Sequence, residues 1–552
     1  MFTMEVFIVK VNDAIAEILK REGAEFLSCF PTTVIIDAAA QAGLRPVVCR
    51  QERVGVGIAD GYSRVTNGKR LGVFAMQQGP GAENAFSGVA TTYSDSVPVL
   101  LLPLGHRSDR SSIRPYFSSV RSYESVTKWV ERINLPEQVP DAMRRAISML
   151  RIGKPGPVML EIPFDIATQE IGPFDYRPII SSRAAGDPRD IDKVAKVLLE
   201  ARCPVIHAGQ GVLYAEAWAE LIELAELLQV PVMTTLLGKS AFPENHPLSL
   251  GTAARTVTGA VQHFLNKADV IFGIGCSFSR HGMSTIIPPG KVLIHATADA
   301  DDINKNYFAD YPIVGDARLV LRQFIEVIKE RLGKQGRRGN GDVAHEIKKV
   351  KEEWLKGWLT KLTSDEVPIN AYRVIWDLMH TLDPKDGIVT HDAGSPRDQL
   401  VPFYPATTPR SYLGWGKSHG LGTGLGLIMG AKLAKPEKVA INFMGDAAFG
   451  MVGTDFETAV RNKIPIITVV LNNFTMAIET GHMDISHELY GSRDLGGNYA
   501  DMGSAMGGYG ERVEKPSEIV PAFQRAIRAN QEEGRPALLE FITSEEITFS
   551  LP

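Results

Sequence analysis

Short apolar runs of strand length alternate with helix-period segments along the whole chain, and this alternation restricts the fold more than any other feature. Between Val11 and Pro163 the runs Val47-Val48-Cys49, Gly72 to Met76, Val97 to Leu104 and Val158 to Pro163 follow helical patterns such as Val11 to Glu22. Such a succession means stacked βαβ units and a parallel sheet. A linker with Pro and Arg follows at about Phe174 to Asp190, and the pattern restarts. The second stretch runs through Pro204 to Gly209, the helix Ala215 to Leu228, and the strands Val230 to Thr235, Val270 to Ile274 and Val292 to His295. A Gly/Lys/Arg-rich segment, Gly333 to Asp342, reads as a flexible surface connection. After it come Gly387 to Thr390, Val439 to Met444, Ile466 to Leu471 and Ala537 to Ile542. The expected fold class is therefore α/β, with three doubly wound parallel-sheet domains at residues 1–175, 190–333 and 344–552. A chain of 552 residues fits that count, since domains run to roughly 150 residues each.

The formal net charge of −5 is spread without blocks, which argues against a nucleic-acid partner. No apolar run approaches the length of about 18 residues that a membrane span requires. Met1 to Lys20 reads as an amphipathic stretch carrying Glu and Lys rather than a signal segment, so the expected location is the cytoplasm with no membrane partner. The cysteines Cys29, Cys49, Cys203 and Cys276 are isolated, without metal or redox spacing, and read as small buried apolar residues.

The segment richest in chemistry is Gly445-Asp446-Ala447-Ala448-Phe449-Gly450, which follows the strand Val439 to Met444 and opens the helical pattern Thr454 to Arg461. A strand turning tightly into a helix presents free N–H groups and the positive end of a dipole, a setting suited to a diphosphate. The next buried strand ends in Asn472-Asn473-Phe474-Thr475. Neighbouring strand ends lie side by side in a parallel sheet, so Asp446, the Asn473 amide oxygen and the Thr475 carbonyl could share one cation. Hard oxygen donors of this kind, with phosphate oxygens and water, suit Mg²⁺.

This Gly-Asp-Ala with its downstream Asn-Asn resembles the signature of thiamine-diphosphate enzymes, normally Gly-Asp-Gly and then Asn-Asn, with Ala447 as the departure. Arg50-Gln51-Glu52-Arg53, before a helix read as Val54 to Arg64, is similar to the N-terminal catalytic stretch of the acetolactate synthase and pyruvate oxidase group. So are Gln77 to Asn84, Val89 to Val99 and His419-Gly420-Leu421-Gly422-Thr423-Gly424. The resemblance implies thiamine diphosphate and Mg²⁺ as cofactors, and pyrimidine-binding, central and diphosphate-binding domains in that order. It assigns Glu52 to N1′ of the aminopyrimidine, where proton transfer activates the thiazolium carbon, and Leu421 to the apolar wedge that bends the cofactor. It places Gly79, Gly394, Ser395, His419, Gly445, Ala447, Ala448, Met476 and Ile478 around the cofactor, and Asp446, Asn473 and Thr475 on the metal. It further implies a homodimer or dimer of dimers with active sites at the subunit interface.

The substrate is less defined. Acetolactate synthases carry a Met, Val and Trp set where this chain has Ile478, Glu479 and His482, which makes the pocket more polar and leaves the small carbonyl substrate open. His391, His419 and His482 are candidates for moving protons, with His419 and His482 first and with His106 and His281 weaker ones. A carboligase on a 2-oxo acid stands first, and a 2-hydroxyacyl-CoA, oxalyl-CoA or diketone lyase is the alternative. In the central domain, Thr252-Ala253-Ala254-Arg255 and Thr297-Ala298-Asp299-Ala300 depart from flavin-binding relatives and weigh against FAD, leaving ADP or no ligand open. A dehydrogenase reading of Gly209-Gln210-Gly211 lacks the third glycine and the acid at a second strand end.

Overall fold

A computed structural model describes residues 9–111, 113–337 and 342–552. Three six-stranded sheets carry the fold. The first has the order Arg45–Val48, Phe26–Cys29, Gly72–Met76, Val99–Gly105, Val158–Pro163, Trp129–Arg132, every pairing parallel. Its inner strands are apolar on both faces because both faces are covered. Val73 and Ala75 point into one core and Phe74 and Met76 into another, as a period-two backbone requires. The fold class expected from the alternation is thus observed: α/β with parallel, doubly covered sheets.

The second sheet runs Ser249–Ala253, Val232–Thr235, Pro204–Ala208, Val270–Ile274, Val292–Thr297, Tyr311–Val314, again with parallel neighbours. Side-chain caps set its helices in place: Asp187 accepts from the Arg189 N–H ahead of Pro188–Glu200, and Asp316 accepts from Arg318 and Leu319 ahead of Ala317–Leu332. The third sheet runs Tyr412–Leu413, Gly387–His391, Val439–Gly445, Ile466–Asn472, Ala537–Ile542, Tyr509–Val513. Numbered within each sheet, the first and third share the strand order 2-1-3-4-6-5. The order reverses between Gly387–His391 and Val439–Gly445, and ligands of open α/β sheets bind beyond the strand ends at such a switch point.

The chain divides into two compact units. One comprises 1–182, 418–437 and 451–466, the other 183–417, 438–450 and 467–552. The helix Thr423–Ala434, from the third section of the sequence, thus belongs to the first unit, where it packs on Glu52–Val65. That packing is backbone on backbone: a Cβ at Gly61 would stand 2.1 Å from the Leu427 carbonyl oxygen.

Several local expectations need correction. The helix read as Ala215 to Leu228 begins only at Trp218, after a separate short helix Gln210–Tyr214 and a turn in which Glu216 takes φ +54°. The helix after the Gly445 turn begins at Asp446, not Thr454, and Glu52 is the first residue of its helix rather than preceding it. Of the segment Gly333 to Asp342, expected to be a flexible connection, the described part is held at Arg337, whose N donates to Leu227 O at 2.8 Å and whose guanidinium donates to Leu198 O at 3.0 Å; 338–341 lie outside the described residues. Cys29, Cys49 and Cys276 are buried as expected, whereas Cys203 is half-buried. No helix among the described residues is long and apolar enough to cross a membrane.

Candidate active site

At the third sheet's switch point, two loops leave neighbouring strands. His391 pairs with Phe443 in register, and the Asp392 N–H donates to the Phe443 carbonyl at 2.6 Å, which pins the first loop. Gly394 there has φ +91° and ψ −153°, a region open to glycine alone, and caps the short helix Ser395–Leu400. The second loop places Gly445 and then Asp446, which is only 3% exposed, at the N-terminus of Asp446–Val452, with Ala447 half-buried and Ala448 buried behind it.

The Asp446 carboxylate has one engaged and one orphaned oxygen. Oδ1 accepts the Ala447 N–H at 2.8 Å, and Oδ2, though buried, has no hydrogen-bond partner. Burial pushes its pKa up to about 6, against the pull of the Ala447, Phe474 and Thr475 N–H groups that face it. Asp446 and the Asn473–Thr475 turn are therefore neighbours, as the sequence required of a shared cation site. The two asparagines differ in role. Asn472 is fully buried; its amide donates to Glu540 at 2.8 Å and its oxygen accepts the Phe474 N–H at 3.0 Å, which holds Phe474 at φ +58°. Asn473 is half-buried, its Oδ1 accepting the Thr475 N–H at 3.2 Å. The first is an anchor and the second a donor presented outward.

These groups fit Mg²⁺ on a diphosphate. A buried carboxylate oxygen without a partner is the kind of hard donor that Mg²⁺ takes. Met476 and Ile478 are half-buried just beyond, and Ile478 Cδ1 lies 4.0 Å from where a Cβ on Gly394 would stand. His482 ends the turn Ala477–His482 and is exposed. The Glu479 side chain lies outside the described residues.

The first unit carries the other group of predicted residues. Glu52 is 4% exposed; burial raises its pKa, opposed by its own N–H and the Asn84 side chain. The loop before it is fastened by Asp455, whose Oδ1 accepts the Arg50 N–H at 2.8 Å and the Thr458 hydroxyl at 2.9 Å. Burial also raises Asp455 to about 6. Arg50 pairs with Glu457 at 2.8 Å, and Arg53 donates to the Leu421 carbonyl, placing half-buried Leu421 beside the Glu52 helix. His419, two residues before it, is exposed. Gly79, at φ +61°, forms the turn into Pro80–Ser94, and a Cβ there would stand 3.9 Å from His106 Nε2, which is buried without a partner.

Asn84 and Asp455 were not singled out from the sequence. Asn84 belongs to the recognised Gln77 to Asn84 stretch, and Asp455 lies just past the Gly-Asp-Ala turn, but only the fold shows what each touches. In the central sheet, Gly209 N donates to Ile274 O at 2.9 Å and Gly211 N to Gly275 O at 2.8 Å. The turn of the dehydrogenase reading thus has neither glycine N–H free for a pyrophosphate.

Comparison with known proteins agrees with this layout. Family profiles described as the thiamine pyrophosphate enzyme N-terminal TPP binding domain, central domain and C-terminal TPP binding domain match residues 9–126, 191–324 and 392–541. The chain is 31% identical to a probable acetolactate synthase large subunit of Methanocaldococcus jannaschii, over 97% of this chain and 92% of that one. It is 30% identical to the probable acetolactate synthase large subunit of Methanococcus aeolicus, over 98% and 93%. Identity to the acetolactate synthase isozyme 3 large subunit of Escherichia coli is 28%, over 88% and 86%. With three matching domains in order and similarity along nearly its whole length, the chain belongs to the thiamine pyrophosphate enzyme family.

Proposed function

We propose that this protein uses thiamine diphosphate and Mg²⁺ to form or cleave a carbon–carbon bond beside a carbonyl, with a 2-oxo acid as donor, as an acetolactate-synthase-like carboligase. The observation that carries the reading is the orphaned, buried Asp446 oxygen facing the Asn473–Thr475 turn at a sheet switch point. When bound, thiamine diphosphate supplies a carbon that adds to a carbonyl and holds the electron pair released as the adjoining bond breaks. Asp446, Asn473 and the Thr475 carbonyl hold the cation, and the loops of Gly394, Ser395, Gly445, Ala447 and Ala448 frame the diphosphate. Glu52, buried and with its carboxyl raised, exchanges a proton with N1′ of the aminopyrimidine; a raised carboxyl is better matched to transfer near neutral pH. Leu421, half-buried beside the Glu52 helix, would offer the cofactor an apolar surface. His419 and His482, both exposed, are proposed to move protons on the substrate side.

The assembly we propose is a homodimer or dimer of dimers in which Glu52 of one chain serves the diphosphate site of its partner. The apolar, exposed side chains Ile485, Leu489 and Tyr490 support an interface. Ile478 and His482 at positions where acetolactate synthases carry Met and Trp favour a second reading, a lyase for an acyl-CoA or diketone.

The test is incubation of the protein with thiamine diphosphate, Mg²⁺ and pyruvate, with products followed by mass spectrometry and Glu52→Gln as control. Acetolactate formed by the parent and not by the variant supports the carboligase. Cofactor binding with pyruvate untouched refutes the pyruvate donor and turns the search to acyl-CoA thioesters and diketones.

A further inference from the structure

The second unit contains a cavity of about 240 Å³ bordered by Lys351, Trp354, Trp376, Met379, Phe403 and Glu244. No step of the proposed reaction uses it. Its walls come from different parts of the chain. Lys351 and Trp354 stand three residues apart on one face of the helix Asp342–Lys356, whereas Trp376 and Met379 belong to Ala371–Thr381. The indole of Trp354 is fixed from two sides: it stacks on Phe403 with ring centres 5.0 Å apart and planes 17° from parallel, and its Nε1 donates to Ser550 at 3.0 Å. The apolar lining is thus rigid rather than collapsible.

The charged groups around the cavity are unevenly paired. Glu244 is the carboxylate that acts on both Lys239 and Lys351. Its acceptor capacity is already engaged: Lys239 Nζ donates to its two oxygens at 2.7 and 2.6 Å, and the Thr252 hydroxyl and the Ala406 N–H each donate to it at 2.9 Å. Lys239 is fully buried, and its ammonium also bonds the Val401 carbonyl at 3.1 Å. One buried carboxylate therefore faces two cations, and Lys351 is the one outside the bonded pair. Glu352, the remaining acid of the lining, is exposed and lies 3.9 Å from Lys348. Lys351 is half-buried with no carboxylate bonded to it among the described residues; burial depresses its pKa, and an anion at the ammonium relieves that cost.

We propose that this cavity is a binding site for a small organic monocarboxylate with a compact aromatic or branched apolar body, its carboxylate on Lys351 and its body against Trp354, Phe403, Trp376 and Met379. The volume lies below the ~300–1,000 Å³ of sites for drug-sized ligands, which restricts the occupant to a small metabolite. Two indoles on the walls make occupancy visible as a change in tryptophan fluorescence.

The test uses the full chain loaded with thiamine diphosphate and Mg²⁺, titrated with phenylacetate, which lacks the 2-oxo group of the proposed donor, and with its neutral isostere phenylacetamide. The expected result is a saturable fluorescence change with phenylacetate, at least tenfold weaker with phenylacetamide. Lys351→Met weakens phenylacetate at least tenfold while retaining cofactor-dependent turnover, and its ligand-free melting temperature is no lower than the parent's. Met379→Trp, which fills the cavity and keeps Lys351, abolishes the response. Absence of saturable binding, equal affinity for acid and amide, or undiminished binding in either variant overturns the proposal. Because the readout is binding and not product, the proposal and the carboligase reading fail separately.

Discussion

Replacing Asp446 with Asn separates a carboxylate kept for a cation from one kept for the fold. The ordinary carboxyl pKa of 3.8 is pushed up to about 6 by burial. The folded metal-free protein therefore holds a proton on Asp446 across a window in which the unfolded chain has released it. In that window the folded state binds more protons, so stability falls as pH rises from 3.8 to about 6 and stays lowered above. Roughly two pKa steps at 1.36 kcal/mol each give a penalty of about 3 kcal/mol at neutral pH. Asparagine carries no charge, and its oxygen can still accept the Ala447 N–H that Oδ1 accepts at 2.8 Å. The expected result is an Asp446→Asn protein that, free of metal and cofactor at pH 7.5, melts several degrees higher than the parent. At pH 4.5 the difference shrinks to about 1 kcal/mol, and it vanishes only below the ordinary pKa of 3.8. Adding thiamine diphosphate with Mg²⁺ raises the melting temperature of the parent and leaves the variant unmoved. Scanning fluorimetry at both pH values reads all of this. A metal-free variant that melts below the parent at pH 7.5 would refute the reasoning, since Asp446 would then stabilise the apo fold.

The two asparagines should divide cleanly. Asn472→Ala leaves buried Glu540 Oε1 without its partner and lowers stability by about 1–3 kcal/mol in a melting experiment, whereas Asn473→Ala leaves the melt near the parent's and weakens Mg²⁺-dependent cofactor binding by calorimetry. Asp455→Asn removes the charged acceptor of the Arg50 N–H; kcat is expected to fall several-fold with KM nearly unchanged, and the acid limb of the pH–rate profile to shift, while a change in KM alone would argue against a role in placing Glu52. Gly61→Ala drives a Cβ against the Leu427 carbonyl and costs about 3 kcal/mol or more, read as loss of soluble protein or a sharply lower melt.

The parts of this fold legible in the sequence are those where one residue pattern meets one environment. Val439–Gly445 and Ile466–Asn472 are buried on both sides, so their continuous apolar runs announced them, and Asp446 and Asn473 could be placed at adjacent strand ends. Trp129–Arg132 and Tyr509–Val513 lie at sheet edges, are half-buried and carry Glu and Arg, so no apolar run marked them. The break at Ala215–Ala217 was invisible because the left-handed turn at Glu216 is closed by local backbone bonds, Glu216 N to Leu213 O and Ala217 N to Val212 O, with no glycine to mark it. In the site, motif residues were recoverable because their chemistry dictates their type. Asp455 was not, because its role is a hydrogen bond to a backbone 405 residues away in sequence, and the orphaned state of Asp446 Oδ2 exists only once the strands are assembled.

The measurement that bears most directly on the central claim is calorimetric titration of thiamine diphosphate into the protein with and without Mg²⁺, repeated on Asp446→Asn. The account predicts saturable binding that requires the metal and weakens at least a hundredfold in the variant. Binding that is indifferent to Mg²⁺, or unchanged when Asp446 is replaced, would contradict it.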